Sequence, residues 1–472
     1  MPFGLKRIDA VALIVAGSFF MEGLDATVIA PAIPQMANAF GTTSVALSAG
    51  ISAYLVTVAI VVPASRWAAE RFGVRTVFCT AIAIFTVASV LCGLSTNLAM
   101  FTAARVLQGI GGALMSPVGR MEVLRKTEKH RLMRAMALIS WPGLTSFIIG
   151  PPLGGFVTAY ISWNWIFFIN VPIGIAGFVL VLLLFDNEKS PEHPFDAVGF
   201  ALNGGALAIL MYGLDLIGHQ RTDWTTGFAF IVAGLALGAL AIRHARRHPH
   251  PLLSPAPFRV HTFAVGILRG GVPFRMVVSA GSFLFPMLFQ IGLGFNAFLS
   301  GLLMAVYATG DLGIKLFVTM IVRRFTFYRV LVVNGVLIAL TTLACAAFTP
   351  GTPLSVMVVV LVLVGACRSL QFTASSSISY AEIPPEGMAN ATALFSMFHQ
   401  VSLGLGVAIS AIVLNLSAYA RTGGLGEPEL PDFRIAIYVM TAIALASVVA
   451  FARIDRMAGA VVSGHAKPMM DE

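Results

Sequence analysis

The chain is a succession of apolar runs, most of them about 20 residues or longer, separated by short connectors that carry most of its charge. A helix of about 20 apolar residues crosses the roughly 30 Å of hydrocarbon in a bilayer, where backbone polar groups can bond only to one another. A chain of this pattern folds as a bundle of membrane-crossing helices. The runs fall at 10–34, 47–69, 76–96, 99–120, 134–160, 164–185, 197–217, 226–243, 262–291, 297–321, 329–349, 353–377, 389–416 and 434–453, fourteen in all. An even number places both termini on one side.

Composition excludes the alternatives. Only 11% of residues are charged, 58% are apolar and the mean hydropathy is +0.88, whereas a soluble protein carries roughly 25% charged residues. A soluble enzyme, a secreted disulfide scaffold, a disordered chain and a coiled coil are all ruled out. Cys79, Cys92, Cys345 and Cys367 lie inside apolar runs without metal-ligand spacing and read as small core residues. The first run holds two acids and ends without a small-residue cleavage pattern, so it is expected to be a span and not a leader. No Gly-x-x-x-x-Gly-Lys loop, Gly-x-Ser-x-Gly elbow or His-Glu-x-x-His cluster occurs.

The formal charge of +9 raises the question of nucleic acid, and the distribution of the charges rejects it. Of 30 Lys and Arg, 22 lie on the side of the termini, in connectors or at the ends of runs, Lys6, Lys129, Arg131 and Lys467 among them. Three, Arg221, Arg421 and Arg434, lie on the other side. Basic residues collect on the cytoplasmic face of a membrane protein, so both termini are expected in the cytoplasm, with the chain in a bacterial inner membrane. His244, His248 and His250 follow the eighth run at a spacing that matches no usual metal site and read as part of a basic interfacial segment.

Two connectors repeat. Glu70-Arg71-Phe72-Gly73-Val74-Arg75 follows the second run, and Arg323-Arg324-Phe325-Thr326-Phe327-Tyr328-Arg329 follows the tenth. Each has an Arg-Phe pair, an interrupted turn and an Arg opening the next helix. Repeated halves mark many secondary transporters. The expected organisation is a six-helix bundle at 1–190, an inserted helix pair with its linker at 191–255, and a second six-helix bundle with a short tail at 256–472.

Several motifs occur in a fixed order. The first run holds Leu24-Asp25-Ala26-Thr27-Val28-Ile29-Ala30-Pro31, and the fourth holds Arg105-Val106-Leu107-Gln108-Gly109-Ile110-Gly111-Gly112-Ala113. The fifth carries Gly150-Pro151-Pro152-Leu153-Gly154-Gly155, and the sixth opens on Trp163-Asn164-Trp165-Ile166-Phe167-Phe168-Ile169-Asn170-Val171-Pro172. Small residues at this spacing let transmembrane backbones approach closely. Gly150-Pro151 is expected to break the helical ladder and serve as a pivot. Together these motifs resemble the major facilitator superfamily, and within it the fourteen-span drug:proton antiporters of the EmrB/QacA type. The resemblance implies an all-α polytopic membrane protein of two six-helix bundles plus two inserted helices. It also implies an antiport motif at Gly150, Pro151, Gly154 and Gly155, whose two upstream glycines are here Ala137 and Ser146. The connector Glu70, Arg71, Gly73 and Arg75 is implied as a cytoplasmic gating loop, with Arg66 where the family has Gly.

Ionisable side chains within spans are costly unless paired or hydrated, and so mark function. The acids are Glu22, Asp25 and Asp311, and the bases are Arg105, Arg269, Arg275, Lys315 and Arg368. Glu22 and Asp25 share a helix face, and two such close carboxylates do not both ionise easily. Asp25, helped by Glu22, is therefore the expected proton-coupling site, the other reading being a pair that holds the first span in place. Arg105 either orients Asp25 or binds an anionic group. Asp311 and Lys315, four residues apart, are expected to neutralise each other. His399 and Gln400 in the thirteenth run, with Arg275 and Arg368, complete the candidate substrate and charge-pair residues. The excess of bases favours an anionic or chelated cargo over a lipophilic cation.

The expected activity is proton-coupled antiport, exporting drugs or other small molecules by alternating access about a site near the midplane. The proton gradient supplies the energy, with no cofactor and no metal. The expected partners are a small-molecule substrate, protons and the bilayer, with no nucleic acid and with one chain sufficient as a monomer. The alternatives are an exporter of a specific organic anion or metal chelate, and a receptor or scaffold that has lost transport. Facilitators of one architecture carry unrelated cargo, so the substrate is not readable from the chain.

Overall fold

Backbone amides in hydrocarbon have only each other as partners, and here helices satisfy them: no strand occurs among the described residues. The structure, a computed structural model, describes residues 7–126, 132–187, 189, 194–218, 224–249, 251–384, 387–423 and 427–459. Lys6, Lys129, Arg131, Arg221, His250 and Lys467 lie outside them, as does the side chain of Ala137.

The helices are α1 (Val11–Phe40), α2 (Ser48–Phe72), α3 (Val74–Gly93), α4 (Leu98–Val123), α5 (Leu132–Tyr160), α6 (Trp165–Leu184) and α7 (Ala197–Ile217). They continue with α8 (Thr225–Arg247), α9 (His261–Gly292), α10 (Ala297–Lys315), α11 (Val318–Cys345), α12 (Leu354–Tyr380), α13 (Asn390–Thr422) and α14 (Leu430–Phe451). Thirteen of these are long and apolar enough to cross a membrane among the described residues, and α5, with 29 residues, fills the remaining expected position. The chain is thus an all-α polytopic membrane protein.

Two compact units divide it. The first comprises Met1–Leu216, Asp223–Leu252 and Phe295–Ala305, and the second comprises Ile217–Thr222, Leu253–Gly294 and Val306–Glu472. In the first, α1 packs on α5 and α4, while α3 packs on α4 and α6, around a core that includes Val15, Phe78, Phe85 and Met115. The inserted helices α7 and α8 approach through Gly213, where a Cβ would lie 2.9 Å from the Gly227 carbonyl. Their outer faces expose Val198, Tyr212, Phe228 and Leu235, an apolar surface suited to lipid. In the second unit, α9 packs on α13 and α14, and α11 packs on α12 and α14, around Val265, Phe274, Leu331, Ile378 and Phe451.

The connector expected after the tenth run is the turn at Thr326, where two helical stretches of α11 meet. Helix α10 already ends at Lys315, and Arg323–Arg329 falls within α11, which bends at Thr326. The repeat read in the sequence is nevertheless a repeat of backbone geometry. Ser65–Phe72 is a short helix ended by Gly73 at φ 89° and ψ 144°, and α11 is interrupted by Thr326 at φ 64° and ψ 156°. In both places a turn of positive φ redirects the chain into a long helix. Gly73 has a further reason to lack a side chain, since a Cβ would collide with the Asn187 side chain, whose Oδ1 accepts from the Thr76 amide at 3.2 Å.

Among the described residues Thr326 is the only non-glycine with positive φ. That region is nearly reserved for glycine, and a side chain there stores about 1–3 kcal/mol of strain. Thr326→Gly releases the strain at a smaller cost in unfolded-chain entropy. The expected net gain is about 1 kcal/mol, a rise of roughly 2–4 °C in unfolding temperature. Thermal unfolding in detergent measures it, and an unchanged or lower temperature contradicts the strain.

Candidate functional site

Three motifs of the first unit meet at one carboxylate. Asp25 of α1 is completely buried. Arg105 Nη1 of α4 donates to Asp25 Oδ2 at 2.7 Å, and Gln108 Nε2, one turn on, donates to Oδ1 at 2.8 Å. Arg105 Nη1 also donates to Gln108 Oε1 at 2.6 Å, locking the two donors together. Asn170 Nδ2 of α6 reaches Asp25 Oδ1 at 3.4 Å and Ser89 Oγ of α3 at 3.0 Å. The Arg105 guanidinium rests over the Tyr54 ring of α2, 4.3 Å from its centroid. Five helices are tied to one ion pair, in which Arg105 bonds directly to Asp25.

Glu22 sits one turn earlier on α1 in a different setting. It is half-buried, and the Ser116 hydroxyl of α4 donates to its Oε2. Asp25 accepts a guanidinium and two amides; Glu22 accepts one hydroxyl.

Small residues make this convergence possible. A Cβ on Gly109 would lie 2.9 Å from the Tyr54 carbonyl, and one on Gly111 would lie 2.7 Å from the Phe85 amide, so a single motif brings α4 against α2 and α3 at once. On α5, a Cβ on Gly150 would collide with the Thr27 side chain and one on Gly154 with the Val28 carbonyl, while Ser146 packs against Gly23. Gly155 faces the other way, towards Ala297 of the Phe295–Ala305 segment of the same unit. The helix continues through Pro151 and Pro152, so the expected break does not interrupt it. The visible effect of the motif is the close approach of α1 and α5.

At the first connector, Arg66 Nε donates to Glu70 Oε1 at 2.9 Å in an exposed i,i+4 pair, a contact of small energetic weight. Arg71 is exposed and Arg75 half-buried on either side of Gly73. The structure also gathers residues that the sequence kept apart: Asp196, His244 and His248 bring ligand-type atoms within 4.8 Å of one another. Asp196 caps α7, accepting from the Gly199 amide at 2.8 Å and the Leu252 amide at 3.1 Å, and pairs with His244 at 2.8 Å. Burial opposes ionisation of Asp196, but those amides and His244 outweigh it and hold the carboxyl below its ordinary value.

In the second unit Asp311 of α10 pairs with Arg368 of α12. This corrects the expected neutralisation by Lys315, which is exposed at the end of α10, where water can hydrate it. The Arg368 guanidinium also lies over the Tyr307 ring, 5.2 Å from its centroid. Arg275 and His399 come together around Phe395 of α13, with the Arg275 guanidinium 4.7 Å from its ring centroid and His399 stacked on it at 6.1 Å; Gln400 follows His399 on the same helix. Gln108, Asn170, Ser89 and Tyr54 were not singled out from the sequence. Gln108 and Asn170 carried a signal, being amides inside apolar runs at fixed motif positions.

Comparison with known proteins agrees with this architecture. Residues 15–407 and 278–465 match the profile of the Major Facilitator Superfamily. The chain is 36% identical over 404 residues to the multidrug resistance protein MdtD of Citrobacter koseri, and 37% identical over 405 residues to MdtD of Escherichia coli, covering 85% of both partners each time. Among solved structures, the POT family transporter PepTSo superposes with a TM-score of 0.70 at 11% identity, covering 98% of this chain and 99% of that one. A D-xylose-proton symporter superposes with a TM-score of 0.67 at 13% identity, over 96% and 99%. At such identities the likeness concerns the fold alone.

Two substitutions test the geometry. Arg105→Met strands Asp25 in the interior, at an expected cost of about 3–5 kcal/mol and a fall of roughly 10 °C in unfolding temperature. The double variant Asp25→Asn/Arg105→Gln should lose less than the two single changes added together, and strict additivity would contradict the pair. Gly154→Leu should force α1 from α5 at a cost of about 1–3 kcal/mol, with substrate transport lost; normal transport by that variant would show that the close approach is dispensable.

Proposed function

The chain belongs to the major facilitator superfamily, and from that premise we propose that it exports drugs or related small molecules in exchange for protons. It is a secondary transporter and not an enzyme. The relatives named for multidrug resistance support export of foreign compounds, and the buried acid pair on α1 supports coupling to protons. Placement in a bacterial inner membrane with both termini cytoplasmic rests on the positive-inside bias. Operation as a monomer on the proton gradient alone, without a cofactor, completes the reading. Two six-helix bundles at 1–190 and 256–472, joined through the inserted pair, would alternate access to the cargo.

The observation that carries the coupling is the unequal satisfaction of Glu22 and Asp25. Asp25 is bound by Arg105 and Gln108, so breaking those contacts disrupts five helices together. Glu22 is held by one rotatable hydroxyl, which can serve the ionised or the protonated carboxyl equally well, since a hydroxyl both donates and accepts. Glu22 is thus the exchanging acid. The Asp25–Arg105 pair is the element whose arrangement responds to it.

Glu22→Gln separates these roles. A panel of cationic dyes and organic acids, screened by thermal shift at two pH values, identifies a compound that stabilises the wild type. In proteoliposomes the variant should lose pH-gradient-driven transport of that compound at least tenfold, which corresponds to about 1.4 kcal/mol, while unfolding within a few degrees of the wild type. Transport at the normal rate by Glu22→Gln would overturn the assignment.

A further inference from the structure

Two of the guanidiniums shielded within the described spans have a carboxylate: Arg105 has Asp25, and Arg368 has Asp311. Arg275 of α9, only 1% exposed, pairs with none among the described residues. Its Nη1 donates at 3.3 Å to the Ile267 carbonyl, in a wide π-turn at Val265–Arg269. Gly271 allows it to lie back along its own helix, because a Cβ there would stand 2.6 Å from Nη1. Such turns interrupt helices frequently at functional sites. A second wide turn, Leu288–Gly292, interrupts α9 on the other side of Arg275.

The atoms left over define a shape. Arg275 Nε and Nη2 are buried and without a hydrogen-bond partner. These two N–H groups point along the same edge of the guanidinium plane, the edge that grips a carboxylate with two parallel bonds. On α13, His399 Nδ1 and Gln400 Oε1 are likewise buried and unpartnered. Polar atoms withdrawn from water normally find partners, so these orphans on the packed helices α9 and α13 call for an occupant. The walls are aromatic: Phe372 lies 5.6 Å from His399 and Tyr380 5.6 Å from Phe395, centroid to centroid. Arg368 is answered by Asp311 and Arg275 is not, so a cation placed here would face the unneutralised charge of Arg275.

We infer that Arg275, His399 and Gln400 form the carboxylate-binding end of the cargo site, and that the cargo includes planar aromatic carboxylates. The fork fixes the acid group, Gln400 accepts from a hydroxyl or amino substituent, and the aromatic side chains cover the ring. This rests on the reading of the chain as an exporter and names a substrate class for it.

The test uses three probes of one shape: 1-naphthoate, 1-naphthylmethylammonium and 1-naphthylmethanol, titrated into the purified full-length protein in detergent. The wild type should bind naphthoate at least tenfold more tightly than the other two, and Arg275→Gln should remove that preference, a charge-assisted bidentate contact commonly supporting a factor of ten or more. Arg275→Lys should recover only part of it, since an ammonium cannot reproduce the fork. If Arg275→Gln does not fold, Gln400→Leu retains the guanidinium and should weaken binding of 4-amino-1-naphthoate severalfold while leaving naphthoate itself unchanged. Equal affinity of wild type and Arg275→Gln for naphthoate, equal affinity of wild type and Gln400→Leu for 4-amino-1-naphthoate, preference of the wild type for the ammonium, or binding of none of the three would overturn the inference. Efflux in proteoliposomes keeps the two readings apart. Proton-driven flux of another compound without naphthoate binding leaves the exporter standing and removes the subsite; naphthoate binding without any proton-driven flux does the reverse.

Discussion

A charged carboxylate in hydrocarbon must be answered by a cation and by donors, or it will not stay charged. Asp25 is answered by Arg105, Gln108 and Asn170, contributed by helices that are far apart in the chain. Because each of these donors is fixed to a different backbone, the pair determines where α1, α4 and α6 stand relative to one another. Ser89 and Tyr54 extend the constraint to α3 and α2. The first unit is therefore organised around one charge, and its glycines are consequences of that arrangement. Donors as short as an amide side chain reach Asp25 only if backbones come nearly into contact, and Gly109 and Gly111 sit where a Cβ would hold α4 away from its neighbours, while Gly150 and Gly154 do the same for α5 against α1.

The same demand is met differently in the second unit. Asp311 turns to Arg368 across helices although Lys315 lies one turn away on its own helix. An i,i+4 partner near a helix end can be hydrated and has little need of a counter-ion. A guanidinium further inside has no such outlet and takes the acid. Local spacing ranked these partners in the wrong order because it carries no information on depth.

This marks how far the sequence was legible. Spans could be placed because hydrocarbon imposes a length and an apolarity on each, and every expected run has its helix. Motifs could be recognised, but what they accomplish together could not: Asp25 and its donors are 80, 83 and 145 residues apart, and nothing periodic connects them. The Arg-Phe repeat survived as a repeat of backbone shape, yet its second copy hid its turn, because a threonine gives no notice of positive φ. The inserted pair hid a contact for a similar reason, since Asp196 and His244 are 48 residues apart and meet only once α7 and α8 are formed.

Residual charge connects the two units to energetics. In the first, Arg105 neutralises Asp25 and leaves Glu22, an acid that a proton can neutralise. In the second, Asp311 neutralises Arg368 and leaves Arg275, a base that does not give up its proton and that only an anion can neutralise. If Glu22 carries the proton and Arg275 the cargo, a proton moving inward and a carboxylate moving outward each shift one positive charge in the same direction. The membrane potential acts on both, at about 2.3 kcal/mol per charge for every 100 mV, in addition to the pH gradient. Exchange of a proton for a monovalent cation gains nothing from the potential, because the two charges cancel. One unpaired guanidinium thus decides both which cargo is held and whether the electrical half of the proton gradient helps to expel it.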